Sequence, residues 1–492
     1  MTYLDWLNGL NVETHHNFIN GEWVESDSKS VFPVYSPAKK EKVLGYFAES
    51  NEKDVDIAVQ AAHDAFKVWS KIAATDRGAI LYKFADLLEE NLEELSYILS
   101  AEQGKILAES KGEVLRAVKE TRYFAGEASR IEGLTISSER PNVSTMVNYN
   151  PLGVIAAIAP WNFPVVTPVR KIVPALAYGC TVVYKPASET PWTSVKLMEL
   201  FSKAGVPNGV VNLVIGGGSK VGNPLISHPL VKGISFTGST KIGLNINEIA
   251  AKRLAKTQLE LGGKNPAVVL DYNDPQSVAK DIVSAAFAVS GQRCTSISRV
   301  VVLKEKSQEL IQAILDEMKK LKVGPSWEEG VNVGPIASEG QFDTTLSYIN
   351  VGKEEGAELL FGGDVVTESE MNEGYYIVPA LFTNVKPEMK IAKEEIFGPV
   401  LSVIEVDSVD EAIKVANDVE YGLAASVFTN DLSTAYRLAE KIESGMVHVN
   451  HGTASQAHVP FGGVKSSGFG AFSIGKTNKE FYTEMKVTYI QY

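Results

Sequence analysis

Apolar residues recur at helical spacing over residues 54–69 and again over 76–99, where Ile80, Leu81, Phe84, Leu87 and Leu88 fall on one face. Ahead of them, "NFINGEWV" (Asn17–Val24) reads as a hairpin, the Asn20-Gly21 pair supplying the positive φ values of a tight turn. The pattern then changes. Short apolar runs at Val154–Ile158, Thr181–Tyr184, Val210–Ile215 and Gly233–Phe236 alternate with helical stretches. A second series follows Leu261: "PAVVL", a helix over Gln276–Val289, "SRVVVL", "GPVLSVIEV" and "YGLAASVFT". Strand–helix alternation of this kind predicts parallel sheets covered by helices on both faces, hence an α/β fold with two α/β domains. The closing "EFYTEMKVTYIQY" reads as a strand with no following partner, free to pair with another subunit. "GGGSKVG" (Gly216–Gly222) has the wrong spacing for a dinucleotide fingerprint and reads as a loop.

The stretch Pro151–Val169 carries no charge and invites a membrane reading. Pro160, Pro164 and Pro168 would break it as a helix, so it is read as a buried strand followed by a rigid loop. Composition agrees with a water-soluble globular chain: 492 residues, 45% hydrophobic and 22% charged. The formal charge of -13, with no basic cluster, argues against nucleic-acid binding. Two cysteines cannot form a disulfide framework, and the N-terminus lacks a basic n-region and cleavage site, which together point to the cytoplasm.

Of those cysteines, Cys180 lies inside the apolar "ALAYGCTVVY" and is read as packing. Cys294, in "SGQRCTSIS", sits past the expected helix end near Gly291, on a loop beside Arg293. An ordinary thiol of pKa ~8.5 is only about 3% thiolate at neutral pH. A neighbouring cation or helix N-terminus would raise that fraction, so a nucleophilic role is open. No histidine stands in a protease signature. His448, His451 and His458 lack any H-E-x-x-H or CxxC companion, so no metal site is expected. "SFTGSTKIG" (Ser235–Gly243) follows a strand and opens a helix; there Gly238 lets the backbone approach a phosphate and Ser239 offers a hydroxyl.

Seven segments occur in order: "PWNFP" (160–164), "KPASETP" (185–191), "FTGSTKIG" (236–243), "LELGGKNP" (259–266), "GQRCTSISR" (291–299), "EEIFGPV" (394–400) and "PFGGVKSSGFG" (460–470). Together they resemble the NAD(P)-dependent aldehyde dehydrogenase superfamily over essentially the whole chain. The resemblance implies two Rossmann-type α/β domains plus a small β oligomerisation arm. The cofactor-binding domain would span 1–127 and 151–258, the catalytic domain 259–450, and the arm 128–150 and 477–492. It implies Cys294 as nucleophile, Asn162 as side-chain donor to the oxyanion and Glu260 as the base that activates water. Trp161, Lys185, Ser188, Gly238, Ser239, Leu261, Glu395 and Phe397 would bind NAD or NADP. NAD-restricted members often carry Glu where Ser188 stands, so NADP is expected to be accepted and NAD not excluded. The partners implied are a small aldehyde and a second copy of the chain, as homodimer or homotetramer, with no nucleic acid and no membrane.

For the substrate, Arg170 stands where many relatives have an aromatic residue. Succinate-semialdehyde dehydrogenases resemble the chain there, and Ser455 matches their second tail ligand. Their further Arg, six residues before the Cys, is Ala288 here. An aldehyde with an anionic tail, a semialdehyde or sulfo-aldehyde, is expected. An aromatic or broad-range aldehyde is the alternative, and a non-redox thiol esterase a distant one.

Overall fold

The computed structural model describes residues 2–492, the side chains of Ser369 and Glu370 excepted. Two large sheets organise the chain. In the first, the parallel strands Lys256–Glu260, Val231–Thr237, Val154–Ile158, Thr181–Lys185 and Val211–Leu213 lie side by side in that order. Antiparallel edges close it: Gly468–Phe469 on one side, the hairpin Asn17–Ile19 and Glu22–Val24 on the other. In the hairpin Asn20 and Gly21 have φ of 53° and 84°, as the turn chemistry requires. In the second sheet Ala380–Thr383, Val400–Val406, Ile297–Leu303, Asn265–Val269, Ala424–Phe428 and Met446–Val449 run parallel. Glu358–Phe361 adds an antiparallel edge.

The central strands Val154–Ile158, Thr181–Lys185, Asn265–Val269 and Ala424–Phe428 are buried at every position, which explains their unbroken apolar runs. Helices carry clear start signals. Asp274 caps Pro275–Phe287 by accepting from the Gln276 N–H, with Pro275 in the first turn, where its missing N–H costs nothing. No helix among the described residues is long and apolar enough to cross a membrane. Pro151–Val169 instead completes a strand, turns through the proline loop and enters the buried helix Val166–Ala177.

Four details differ from the sequence reading. The apolar periodicity of 76–99 belongs to two helices, Ala74–Glu90 and Leu92–Gln103, broken at Asn91. Gly218–Gly222 is a π-helical turn rather than plain loop. The segment before Cys294 is helical only to Phe287 and continues as a 3-10 turn, Ala288–Gly291. The C-terminal strand, Thr483–Gln491, is partnered within its own chain. It pairs antiparallel along all of Val143–Pro151, which Leu134–Ile136 flanks on the other side. Residues 478–482 form a helix, not strand, and tie the C-terminus to the first sheet. Tyr482 donates its hydroxyl to the Lys171 carbonyl (3.0 Å), and the Asn478 side chain accepts from Gln258 (2.8 Å).

Candidate active site

The strands ending at Ile158, Lys185, Thr237 and Glu260 stop at one edge of the first sheet, where open α/β sheets gather ligands. The loops leaving that edge meet the turn that carries Cys294. Three residues in succession, Val289, Ser290 and Gly291, are left-handed, with φ of 55°, 55° and 73°. For a β-branched residue this is strained by about 1–2 kcal/mol, so surrounding bonds must impose it. Glu109 accepts from the Val289 N–H (2.7 Å), and the Ser290 hydroxyl donates to the Gly334 carbonyl (2.8 Å). Gln292 accepts from the Ala337 N–H (2.9 Å) while donating to the Val289 carbonyl (3.1 Å). A Cβ on Gly291 would overlap the Gly398 carbonyl, so only glycine fits there. On the far side of the thiol, the Asn265 amide donates to the carbonyls of Cys294 (2.7 Å) and Ser296 (2.8 Å).

Cys294 is half-buried. Burial pushes its thiol up to about 12; the Glu395 and Glu260 carboxyls add to the rise, and Arg170 and Arg293 oppose it. Arg293 sends Nη2 to the Ala285 carbonyl (2.6 Å), and its pull on the thiol falls short of offsetting burial. Cys180 is buried on the Tyr482 carbonyl (3.1 Å) and also pushed up, to about 11.

Asn162 projects its amide across the gap between the two sheets to the Gln292 carbonyl (2.9 Å), two residues before the thiol. Its own carbonyl accepts from Lys105 Nζ (2.7 Å). Lys105 is fully buried and paired with Glu113 (2.6 Å), and Glu113 in turn accepts from the N–H groups of Val165 (2.8 Å) and Val166 (3.0 Å). Breaking such a dry pair leaves an uncompensated charge, typically ~3–5 kcal/mol. Glu260 ends its strand with one carboxyl oxygen 3.3 Å from the Ser473 N–H and the other buried without a partner. Burial pushes its carboxyl up to about 7, with Lys171 pulling the other way. Glu395 is likewise pushed up to about 7 by burial, and accepts from the Gly263 N–H (2.9 Å) over the bare backbone of Gly262. Phe397 meets Trp161 edge-on at 5.3 Å.

One cavity of about 550 Å³ is lined by Trp161, Asn162, Arg170, Gly238, Ser239, Glu260, Leu261, Cys294, Glu395, Phe397 and Ser455. Lys185 and Ser188 lie outside that lining, Lys185 as the last residue of its strand and Ser188 in the turn that follows. Lys185 Nζ donates to the Pro186 carbonyl (2.8 Å), and burial brings its ammonium down to about 8. Ser239 starts the helix Thr240–Ala251 without capping it through its side chain, and it lines the cavity beside Gly238. Such a helix start, beside Gly238 and the backbone of Gly262, suits a phosphate-bearing cofactor. Among the described residues no group of three or more His, Cys, Asp or Glu is placed to hold a metal ion.

Sequence reasoning missed Lys105, Glu113, Gln292, Asn265 and Arg116. Arg116 lines the cavity and shares Glu120 with Arg170. Its only local signal was the i,i+4 spacing of Arg116 and Glu120 on the helix Leu107–Glu127.

A thiol, a buried carboxyl of near-neutral pKa and an amide donor thus gather around one cavity, beside the start of the helix that opens at Ser239. The chain belongs to the aldehyde dehydrogenase family, whose model matches residues 23–488. It is 44% identical to an alpha-ketoglutaric semialdehyde dehydrogenase of Bacillus subtilis (strain 168), over 97% of this chain and 98% of that one. It is 39% identical to a 2,5-dioxopentanoate dehydrogenase of Saccharolobus solfataricus, over 95% and 98%. A crystal structure of betaine aldehyde dehydrogenase from Staphylococcus aureus in complex with NAD+ superposes with a TM-score of 0.96 at 34% identity, covering 99% of this chain and 97% of that one.

Proposed function

We propose that the chain catalyses NAD(P)-dependent oxidation of a small aldehyde with an anionic tail, of the dicarboxylic-semialdehyde class. The observation that carries this reading is one cavity lined by Cys294, Asn162 and Glu260 and by two guanidiniums, Arg116 and Arg170, that share a single carboxylate. The names of the two relatives, an alpha-ketoglutaric semialdehyde dehydrogenase and a 2,5-dioxopentanoate dehydrogenase, support the anionic tail.

In this reading Cys294 attacks the aldehyde carbon. Its proton leaves to water before the attack, so Glu260, poised near neutrality, stays free for the later hydrolysis. The Asn162 amide and the Cys294 N–H stabilise the oxyanion; losing one such donor typically costs ~3 kcal/mol. Trp161, Lys185, Ser188, Gly238, Ser239, Leu261, Glu395 and Phe397 would hold NAD or NADP. The chemistry such a cofactor supplies when bound is hydride acceptance, which takes the tetrahedral adduct to a Cys294 thioester. Glu260 then removes a proton from the water that hydrolyses the thioester. The absence of a carboxylate at Ser188 supports use of NADP as well as NAD.

The first sheet (1–127 and 151–258) is proposed as the cofactor domain, 259–450 as the catalytic domain, and 128–150 with 477–492 as the oligomerisation arm. The arm exposes Leu134, Ile136, Met485, Val487 and Tyr489, an apolar face that supports a cytoplasmic homodimer or homotetramer. NAD(P)H formation across a panel of semialdehydes, benzaldehyde and hexanal tests the function. Preference for benzaldehyde would give the site to the aromatic alternative, and ester cleavage with no NAD(P)H formed from any aldehyde to a thiol esterase.

A further inference from the structure

Arg170 reaches the cavity with its best donors already engaged. Its Nε and Nη2 form a fork on the two oxygens of Glu120, at 3.1 and 2.8 Å, and its guanidinium lies 4.9 Å from the Phe461 ring. Glu120 has no exposed side-chain surface. Arg116, one turn earlier on the Glu120 helix, touches the same carboxylate through Nε alone, at 2.7 Å. Its two terminal nitrogens are turned instead toward Ser455, Nη1 to the carbonyl and Nη2 to the hydroxyl (3.2 Å). Two guanidiniums thus share one carboxylate, leaving one net positive charge, and the 21% exposed Arg116 is the member whose terminal nitrogens hold only the uncharged Ser455, a partner an anion can share or replace. Ala288 places no charge on that wall, and Arg293 is directed at Ala285.

We infer that Arg116, rather than Arg170, grips the anionic tail of the substrate, and that Arg170 is a positioning residue that fixes Glu120 and thereby Arg116. The inference rests on the anionic-aldehyde reading proposed above. The planar pair of Nη donors matches a two-oxygen anion, a carboxylate or sulfonate, and the Ser455 hydroxyl, accepting from Arg116, keeps its own proton to donate to the same anion. Arg116 and Ser455 therefore form one tail-binding unit, built from segments 339 residues apart.

The test is the ratio of kcat/KM for 2,5-dioxopentanoate and succinate semialdehyde to that for hexanal, measured for each variant. Arg116→Leu should lower the ratio about 30-fold or more, through KM, with hexanal turnover preserved. Arg116→Lys should recover part of the loss. Arg170→Leu should lower activity on all three aldehydes, along with the melting temperature, and lower the ratio less than Arg116→Leu does, because it leaves Glu120 to Arg116 alone. An equal loss on all three aldehydes in Arg116→Leu, or a ratio that falls as far or further in Arg170→Leu than in Arg116→Leu, overturns the inference. If Arg116→Leu does not fold, Arg116→Gln, with fold checked by NAD+ binding, serves in its place. A wild-type enzyme that prefers hexanal to both semialdehydes sinks the proposed function itself, a failure visible before any substitution is made.

Discussion

The two ends of the cavity use burial in opposite ways. At the thiol end, Cys294, Glu260 and Glu395 are buried beside one another without a matched ion pair, and all three are pushed toward their uncharged forms. At the tail end, Arg170 is just as enclosed, yet Glu120 and the other nearby anions more than offset desolvation and its pKa is raised. The difference shows that enclosure alone does not decide charge; a partner of opposite sign does. In the proposed mechanism the end that exchanges protons is left unmatched, and the end that holds an anion is paired and one charge in excess.

The largest effect that would sharpen this contrast is at the thiol. Cys294→Ala should remove aldehyde oxidation by about 10⁴-fold or more while cofactor still binds, checked by steady-state turnover and cofactor fluorescence. Glu260→Gln should cost roughly 10²–10⁴-fold in turnover and leave a single burst of NAD(P)H, because thioester forms but is not hydrolysed. The pH profile carries the same information. Wild-type turnover should rise as pH climbs through about 7, where Glu260 loses its proton, and the variant should lack that limb.

The stability counterpart has a definite sign. A carboxyl raised from its ordinary 4.5 to about 7 stabilises the fold below its unfolded pKa and loses that contribution as pH rises through about 7. Glu260→Gln should therefore gain melting temperature relative to wild type at pH 8 and not at pH 4, by circular dichroism. An equal difference at both pH values would break the contrast at this residue.

A smaller loss is expected behind the oxyanion donor. Lys105→Met should lower kcat by roughly 10- to 100-fold, with the KM for cofactor little changed, because the Asn162 loop loses the cation that holds its carbonyl. Unchanged kcat would show that the loop holds its place without Lys105. The mildest effect belongs to cofactor choice. Ser188→Glu should weaken NADP about tenfold more than NAD, since a carboxylate repels a 2′-phosphate. Equal losses would place residue 188 away from the ribose.

Much of this was legible because the chemistry sits on segments with strong local rules. The proline loop around Asn162, the glycines beside Glu260 and the turn before Cys294 each announce themselves within a few residues. The tail end did not. Arg116, Glu120, Arg170 and Ser455 come from two helices and a late loop, and no spacing in the chain brings them together. The direction of the Arg293 side chain was equally hidden, since neighbours in sequence need not face each other. The pairing of the C-terminal strand was missed because its partner, Val143–Pro151, lies more than 300 residues earlier.

The helix Asn478–Tyr482 gives the order of biosynthesis a chemical meaning. Its Tyr482 holds the backbone beside Arg170, its Asn478 holds the strand of Glu260, and Ser473 just before it caps the Glu260 carboxyl. A ribosome therefore completes the nucleophile almost two hundred residues before it supplies the last supports of the base. A chain halted or clipped in between carries the Cys294 thiol without the finished surroundings of Glu260.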